Sequence, residues 1–401
     1  MNHGYLSRYF EGAAVKTLSA VEADLGSSNQ HEYNGVDSLK KIFGEAPEKR
    51  RIPARFVYLS DNDDEPLIDK GFLTWYDARA KNPRRSEHRL YFPTTSVSEC
   101  AAAGDTLVIA ATRDGGAVVV IAEQGSTVAR QVQWLFGVED VRAGFSVRES
   151  METEQDRIGF AAAVILEQIG IEVELADDSY LDQMLAKFGA VFPPTRIFSA
   201  YARSTIADIT ADAHPDEALL AWMEQEEILF RTLEKHIVGD RLTEGFDDVE
   251  VFIKFSLSVQ NRRKSRVGHA FENHLSEVFS QQGLRYSRTA VTENNSKPDF
   301  LFPGQEEYLD ASFPDEKLLM LGAKSTCKDR WRQVLAEAAR IPDKHLVTLQ
   351  PAISQNQTDE MQSSHLQLVV PAALHTTYNA AQRDWLMNLG DFVGLVRAAQ
   401  I

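Results

Sequence analysis

Between residues 50 and 125 apolar and polar positions alternate in short runs. RIPARFVYLSD, FLTWYDARA, EHRLYFP and the pair DTLVIAAT and AVVVIAE are rich in β-branched and aromatic residues and predict strands. Asp114-Gly115-Gly116 separates the last two and predicts a hairpin turn, since glycine tolerates positive φ. STVARQVQWLFG then predicts a short helix. Many short strands with few helices suggest a small barrel or pseudobarrel. From about 155 to 255 apolar residues recur at three and four, as in ALLAWMEQEEILFRTLEKHIV, with a break at Pro193-Pro194. Residues 256–401 alternate. SVQNRRKSRVGHAFENHLSEVFSQQ predicts a long helix stopping at Gly283, followed by strands LRYSRTAV, DFLFP, EYLDASF and KLLMLGAKS. CKDRWRQVLAEAARI predicts a helix, HLVTL a strand, then come a short polar helix, strand LQLVVP and a final helix AAQRDWLMNLGDFVGLVRAA. That order implies an α/β domain with a mixed central sheet behind a mainly β domain. The junction falls near 170–185, giving domains 1–175 and 176–401.

Length and charge refine this picture. A chain of 401 residues suits two domains. A net charge of −17 excludes a protein that coats nucleic acid through unspecific phosphate contacts. It leaves room for a specific DNA enzyme, because basic residues cluster at Arg262 to Arg266, at Lys324, Lys328, Arg330 and Arg332, and at Arg84, Arg85 and Arg89. Each cluster taken alone also suits a solvated face. Acidic residues gather at Asp216 to Glu234 and Glu244 to Glu250. No apolar run approaches the ~20 residues of a membrane helix, and MNHGYLSRYFEGAAVK lacks the apolar core of a signal peptide. Cys100 and Cys327 form no motif, so a reduced cytoplasmic protein without membrane partners is expected.

The chemistry centres on the pair Pro298-Asp299 at the head of one strand, with Lys324 late in another. Phosphodiester hydrolysis needs a divalent metal to polarise the phosphate and acidify the attacking water. Mg2+ takes oxygen ligands and keeps several waters, so one or two carboxylates suffice. A lysine beside it can orient the water or stabilise developing charge. Alone, Pro-Asp at a strand start is more often a turn. The usual PD-(D/E)xK nuclease pattern also places an acid two residues before the lysine, and that position is Gly322. One substitute is Glu337, at the edge of the stripe Trp331, Val334, Leu335 and Ala338 on the following helix. Glu272 adjoins the inner face of the long helix and is a further candidate acid. Both also read as surface glutamates. Lys328-Asp329-Arg330 could read a G·C pair, since guanine offers two acceptors and cytosine a donor, or could be first-turn charges.

NRRKSRVGHAFENHL, SKPDFLFP and LGAKSTCKDRWRQVLAEA resemble the catalytic domain of EcoRII-type (type IIE) restriction endonucleases from about residue 250 to about 380. The resemblance implies a restriction-endonuclease-like fold in which the last acid comes from the helix. It implies Asp299, Lys324 and Glu337 as the catalytic core, with Asp299 and Glu337 holding Mg2+. Glu272 would be an auxiliary acid and Tyr308 a tyrosine near the site. Lys328, Asp329 and Arg330 would read the outer CC·GG pairs, Arg332 would bind DNA, and Arg262 and Arg263 would face DNA. LTWYDARAKNPRRSEHRLYFP is more distantly similar to the EcoRII effector-binding pseudobarrel, which implies Arg85, Glu87, His88 and Arg89 in one DNA-reading arm and His31 in the other. The family further implies a homodimer through the catalytic domains, a second bound copy of a CC…GG site (CCWGG-like) that relieves restraint of the nuclease, and a cognate DNA methyltransferase. Three other readings remain: a modification-dependent nuclease, a DNA-binding regulator with a relic nuclease fold, and a protein-interaction module.

Overall fold

The computed structural model describes residues 5–23, 31–45, 48–63, 65–81, 85–138, 141–153, 159–173, 177–327 and 330–401. It divides into two compact units, Met1–Val173 with Ala352–Asn356, and Glu174–Pro351 with Gln357–Ile401.

The first unit is one eight-stranded sheet. Its strands are β1 (Phe10–Thr17), β2 (Glu32–Tyr33), β3 (Arg50–Leu59), β4 (Leu67–Asp77), β5 (His88–Tyr91), β6 (Thr106–Thr112), β7 (Ala117–Ala122) and β8 (Ser146–Arg148), in the order β2-β5-β4-β3-β7-β6-β1-β8. Neighbours are antiparallel except β3 and β7, which run parallel. Alternate residues of the long strands, such as Ile52, Ala54 and Phe56 on β3 and Leu107, Ile109 and Ala111 on β6, enter one buried cluster with Trp75 and Leu90. A sheet that gathers one face of nearly all its strands into a single core is curled. This is the mainly β architecture expected of a pseudobarrel. β6 and β7 are buried on both faces, and helix α1 (Thr127–Leu135) packs on β7. Gly115 takes φ 82° in the β6–β7 turn, which is why that turn is readable in the sequence. β1 is not. Its run FEGAAVKT has small residues at its centre, and at Gly12 the neighbours leave no room for a side chain. A Cβ on Gly12 would lie 2.5 Å from Ile42 Cγ2 and 2.9 Å from the Arg148 carbonyl oxygen.

The second unit opens with helices α2 (Leu181–Phe188), α3 (Thr195–Thr205), α4 (Pro215–Glu244) and α5 (Val249–Gln281). Pro194 is the N-cap of α3, in keeping with the break expected at the double proline. α5 starts at Val249, earlier than expected, because the Asp248 side chain accepts from Val251 N at 2.8 Å and caps it. Gly283 follows its end at φ 68°. The sheet strands are β9 (Ser287–Arg288), β10 (Phe300–Phe302), β11 (Leu319–Lys324), β12 (Lys344–Thr348) and β13 (Leu366–Val369), in the order β13-β12-β11-β10-β9. β9, β10 and β11 are antiparallel and β11, β12 and β13 parallel, a mixed sheet. Three element expectations fail. EYLDASF is not a strand but holds the end of a short helix, α6 (Gln305–Leu309). CKDRWRQVLAEAARI forms only the five-residue helix α7 (Trp331–Leu335), and Ala338 then turns left-handed at φ 49°. The final helix is split into Ala380–Arg383 and Leu389–Ala399. Among the described residues no helix is long and apolar enough to cross a membrane.

Candidate active site

Asp299 immediately precedes β10, whose Phe300 pairs with Leu321 on β11. One step further along this register puts Asp299 opposite Gly322. Its Oδ2 accepts from Ala323 N at 2.7 Å and from Lys324 Nζ at 2.9 Å. The two side chains, Lys324 and Asp299, keep 20% and 14% of their surface exposed, so the pair sits at the sheet end, open to a ligand. Gly322 shows why no acid precedes the lysine. A Cβ there would lie 2.8 Å and 3.1 Å from the two Val334 methyls. Val334 of α7 therefore rests directly on the strand backbone. That close approach carries the chain to Glu337, in the turn just after α7, whose N–H donates to Val334 O at 3.1 Å.

Glu337 is half-buried, and its Oε2 is sealed from solvent without a hydrogen-bond partner among the described residues. Burial first, and the negative charge of Asp299 second, push its carboxyl up to about 7, with Lys324 and Lys344 opposing. An unpartnered carboxylate oxygen beside a second carboxylate is costly in a protein interior. A divalent cation answers both deficits. The donors fit Mg2+, which is satisfied by two carboxylates and retained water. No cluster of three or more His, Cys, Asp or Glu side chains suited to a metal occurs among the described residues.

Glu272 on α5 accepts from Arg288 Nη2 at 2.9 Å, and Arg288 Nη1 also donates to Asn273 Oδ1 at 3.2 Å. Arg288 pairs with Phe300 across β9 and β10, and Thr289 N donates to Asp299 O at 3.3 Å. Glu272 is thus joined to the Asp299 strand through an arginine. The Tyr308 hydroxyl is buried and donates to Glu293 Oε2 at 2.5 Å, so the structure gives it no contact with Asp299 or Lys324. The basic segment of α5 is engaged within the unit. Arg263 Nη2 meets Glu234 at 2.6 Å, Arg266 pairs with Glu227, and Arg262 lies 4.6 Å from the Phe192 ring. Arg332 meets Glu360 at 2.8 Å and Arg330 is exposed. Lys328 and Asp329 lie outside the described residues. Cys327 just before them is buried, and its N–H donates to Gln350 Oε1 at 2.5 Å. Burial pushes its thiol up to about 12, which leaves it inert.

Residues 230–393 match the family described as EcoRII C terminal. The matched segment contains Asp299, Lys324 and Glu337. This segment of the chain is therefore similar to the EcoRII C-terminal family. The chain is 46% identical over 203 residues to the type II restriction enzyme EcoRII of Escherichia coli, covering 50% of each. It therefore spans about half the length of that curated relative. Two solved structures are similar at 16% identity and a TM-score of 0.45. Metal-depleted Ecl18kI in complex with uncleaved DNA covers 56% of this chain and 84% of its own, and the restriction endonuclease PspGI–substrate DNA complex covers 52% and 93%. The mixed sheet and flanking helices of the matched segment agree with the α/β nuclease fold expected from the sequence.

The matched family segment does not extend to the N-terminal arms, so these rest on their own geometry. Glu87 meets Arg79 at 2.5 Å and Arg89 at 2.9 Å, and Arg89 also reaches Glu32 at 3.3 Å. Tyr76 donates its hydroxyl to Glu32 at 2.9 Å. Glu87 and Arg89 therefore stand in a paired surface network that joins β5 to β2. Arg85 is exposed. His88 is buried, 4.8 Å from the Trp75 ring, with Ser86 Oγ at 3.0 Å and Glu45 at 3.3 Å. His31 packs near the Tyr91 and Phe92 rings, and its buried Nδ1 has no partner among the described residues. The structure thus brings Glu87, Arg89 and Glu32 together and makes His88 part of the packing. Sequence reasoning missed Glu293, Arg288 and Arg340, whose roles arise from contacts between distant segments, and Lys344, which donates to carbonyls three and six residues back.

Proposed function

We propose that the chain is a type II restriction endonuclease that hydrolyses both strands of duplex DNA at a short, near-palindromic CC…GG site, CCWGG-like, with Mg2+. The observation that carries this reading is the Asp299–Lys324 pair facing a Glu337 carboxylate with an unpartnered oxygen. Asp299 and Glu337 would hold the cation. When bound, it polarises the scissile phosphate and lowers the pKa of the attacking water. The Ala323 N–H fixes the Asp299 carboxylate, and Lys324 Nζ stands ready to orient the water and steady negative charge on the phosphate oxygens. Glu337 gives up its proton before it can bind a cation. The new bond joins the water oxygen to phosphorus, and the P–O bond to the leaving nucleotide breaks. Glu272 acts as an auxiliary acid in this reading.

The same reading makes the N-terminal sheet an effector domain, with Arg85, Glu87 and Arg89 on its DNA-facing arm. It makes the protein a homodimer through the catalytic unit, since a two-fold enzyme suits two-fold DNA. Double-stranded DNA at two sites and a protecting methyltransferase are the partners, and the cytoplasm is the place of action. DNA of known sequence carrying several CC…GG sites, incubated with and without Mg2+ and then end-sequenced, tests this. Discrete Mg2+-dependent ends flanked by CC and GG are expected. Intact DNA with Mg2+ present, for both methylated and unmethylated substrate, would contradict the reading.

A further inference from the structure

Glu337 stands at the end of a helix with only one turn, too short to be stable alone. The next residue, Ala338, is left-handed at φ 49°, a conformation unfavourable for a side chain with a Cβ. A turn like this keeps its shape only where its surroundings impose it. Four side chains from four segments do so. The Glu293 carboxylate accepts from Ala339 N at 3.2 Å and from the Tyr308 hydroxyl at 2.5 Å. The Tyr308 oxygen in turn accepts from Arg340 N at 3.2 Å. The Arg340 guanidinium donates to the carbonyls of Tyr308, Asp310 and Phe313 and to Asp315 Oδ1. From the other side, the buried Lys344 ammonium donates to Ala338 O at 3.3 Å and Ile341 O at 2.6 Å. A buried lysine spent on two carbonyls of one turn, with no carboxylate at salt-bridge distance among the described residues, has holding that turn as its evident task.

We propose that Glu293, Tyr308, Arg340 and Lys344 form a clamp on residues 338–341 that positions the Glu337 carboxylate for the cation. This rests on the metal-site reading given above. Tyr308 is then a positioning residue acting through Glu293 and Arg340, not one that touches the reacting atoms. Partners that orient a ligating carboxylate typically influence metal affinity by about 10–100-fold.

The test uses the full chain and Tyr308→Phe, which removes one oxygen, with Glu293→Gln as a second variant. Amide hydrogen exchange at Ala339 and Arg340 reads the turn, and Mn2+ titration followed by electron spin resonance reads the site. The clamp predicts exchange at those two amides at least about fivefold faster and Mn2+ half-saturation raised about tenfold. The kcat at saturating metal should fall far less than the affinity does. Unchanged exchange with unchanged Mn2+ binding would overturn the proposal. So would a lower kcat at saturating metal with unaltered Mn2+ binding, which would give the hydroxyl a direct part in the chemistry. A wild-type chain that bound no Mn2+ would overturn the metal site itself, and the clamp with it, whatever the exchange rates showed.

Discussion

Two glutamates, the buried Glu22 of the first unit and the half-buried Glu337 of the second, have opposite fates. Glu22 lies beside β1, where its carboxylate accepts from Lys16 Nζ at 2.7 Å, Ser19 N at 2.9 Å, Ser19 Oγ at 2.6 Å and Asn34 N at 2.6 Å. Burial alone would raise its carboxyl, but Lys16, Ser19 and Asn34 together hold it below the usual range. Glu337 is also raised by burial, but it faces Asp299 instead of donors and rises to about 7. The first carboxylate is complete within the protein and ties the 31–37 segment to the sheet. The second keeps an oxygen that no group among the described residues satisfies. A saturated buried charge marks structure, and an unsatisfied one beside a like charge marks a site.

The comparison can be broken in four places. The largest effect is expected at the pair itself. Asp299→Asn should cut DNA cleavage by about 10²–10³-fold or more while metal-free DNA binding persists. A variant that cleaves normally would remove Asp299 from the chemistry. Next, Glu22→Gln should destabilise the fold by about 3–5 kcal/mol, because it leaves the buried Lys16 ammonium unpaired. Urea unfolding measures this, and the loss should shrink as pH falls through the depressed Glu22 pKa. Gly322→Ala should cost about 1–3 kcal/mol by crowding Val334, and Gly322→Glu, which restores the common acid position, should not restore a working site. The smallest effect runs the other way. With a folded pKa near 7 and an ordinary value of 4.5, ionised Glu337 weakens the metal-free fold, increasingly as pH rises from 4.5 to 7. Glu337→Gln should therefore stabilise the metal-free protein at pH 8 by about 1–2 kcal/mol, after allowance for solvent. Below pH 4.5 it should make no difference. Thermal melts at the two pH values decide.

Much of the site was legible where chemistry forces a residue type into a local pattern. Pro298-Asp299 with Lys324 stands out because a strand start and a strand end on neighbouring strands meet at one sheet edge. Glu337 is reached in the sequence through an expected helix that proves to be one turn long. It comes near Asp299 because Val334 sits on Gly322, not because a helix runs over the sheet. Gly322 reads in the sequence only as a missing acid. Its reason is steric and depends on packing between segments. Tyr308 and Arg340 leave no periodic trace, since Tyr308 meets Glu293 and the Arg340 N–H, and the Arg340 guanidinium meets the 308–315 segment, all far along the chain. β1 is hidden for a related reason: Gly12 is dictated by Ile42 and the Arg148 backbone, which only the fold brings near.

The central claim is that Asp299 and Glu337 form a cation site, and that the raised Glu337 pKa marks it. Mn2+ binding measured from pH 5 to pH 8, with and without a CC…GG duplex, tests it most directly. The account predicts affinity that rises about tenfold per pH unit up to about pH 7 as binding displaces one proton, then levels off. Glu337→Gln should abolish that dependence and weaken binding. Mn2+ affinity that ignores pH and survives both Glu337→Gln and Asp299→Asn would contradict it.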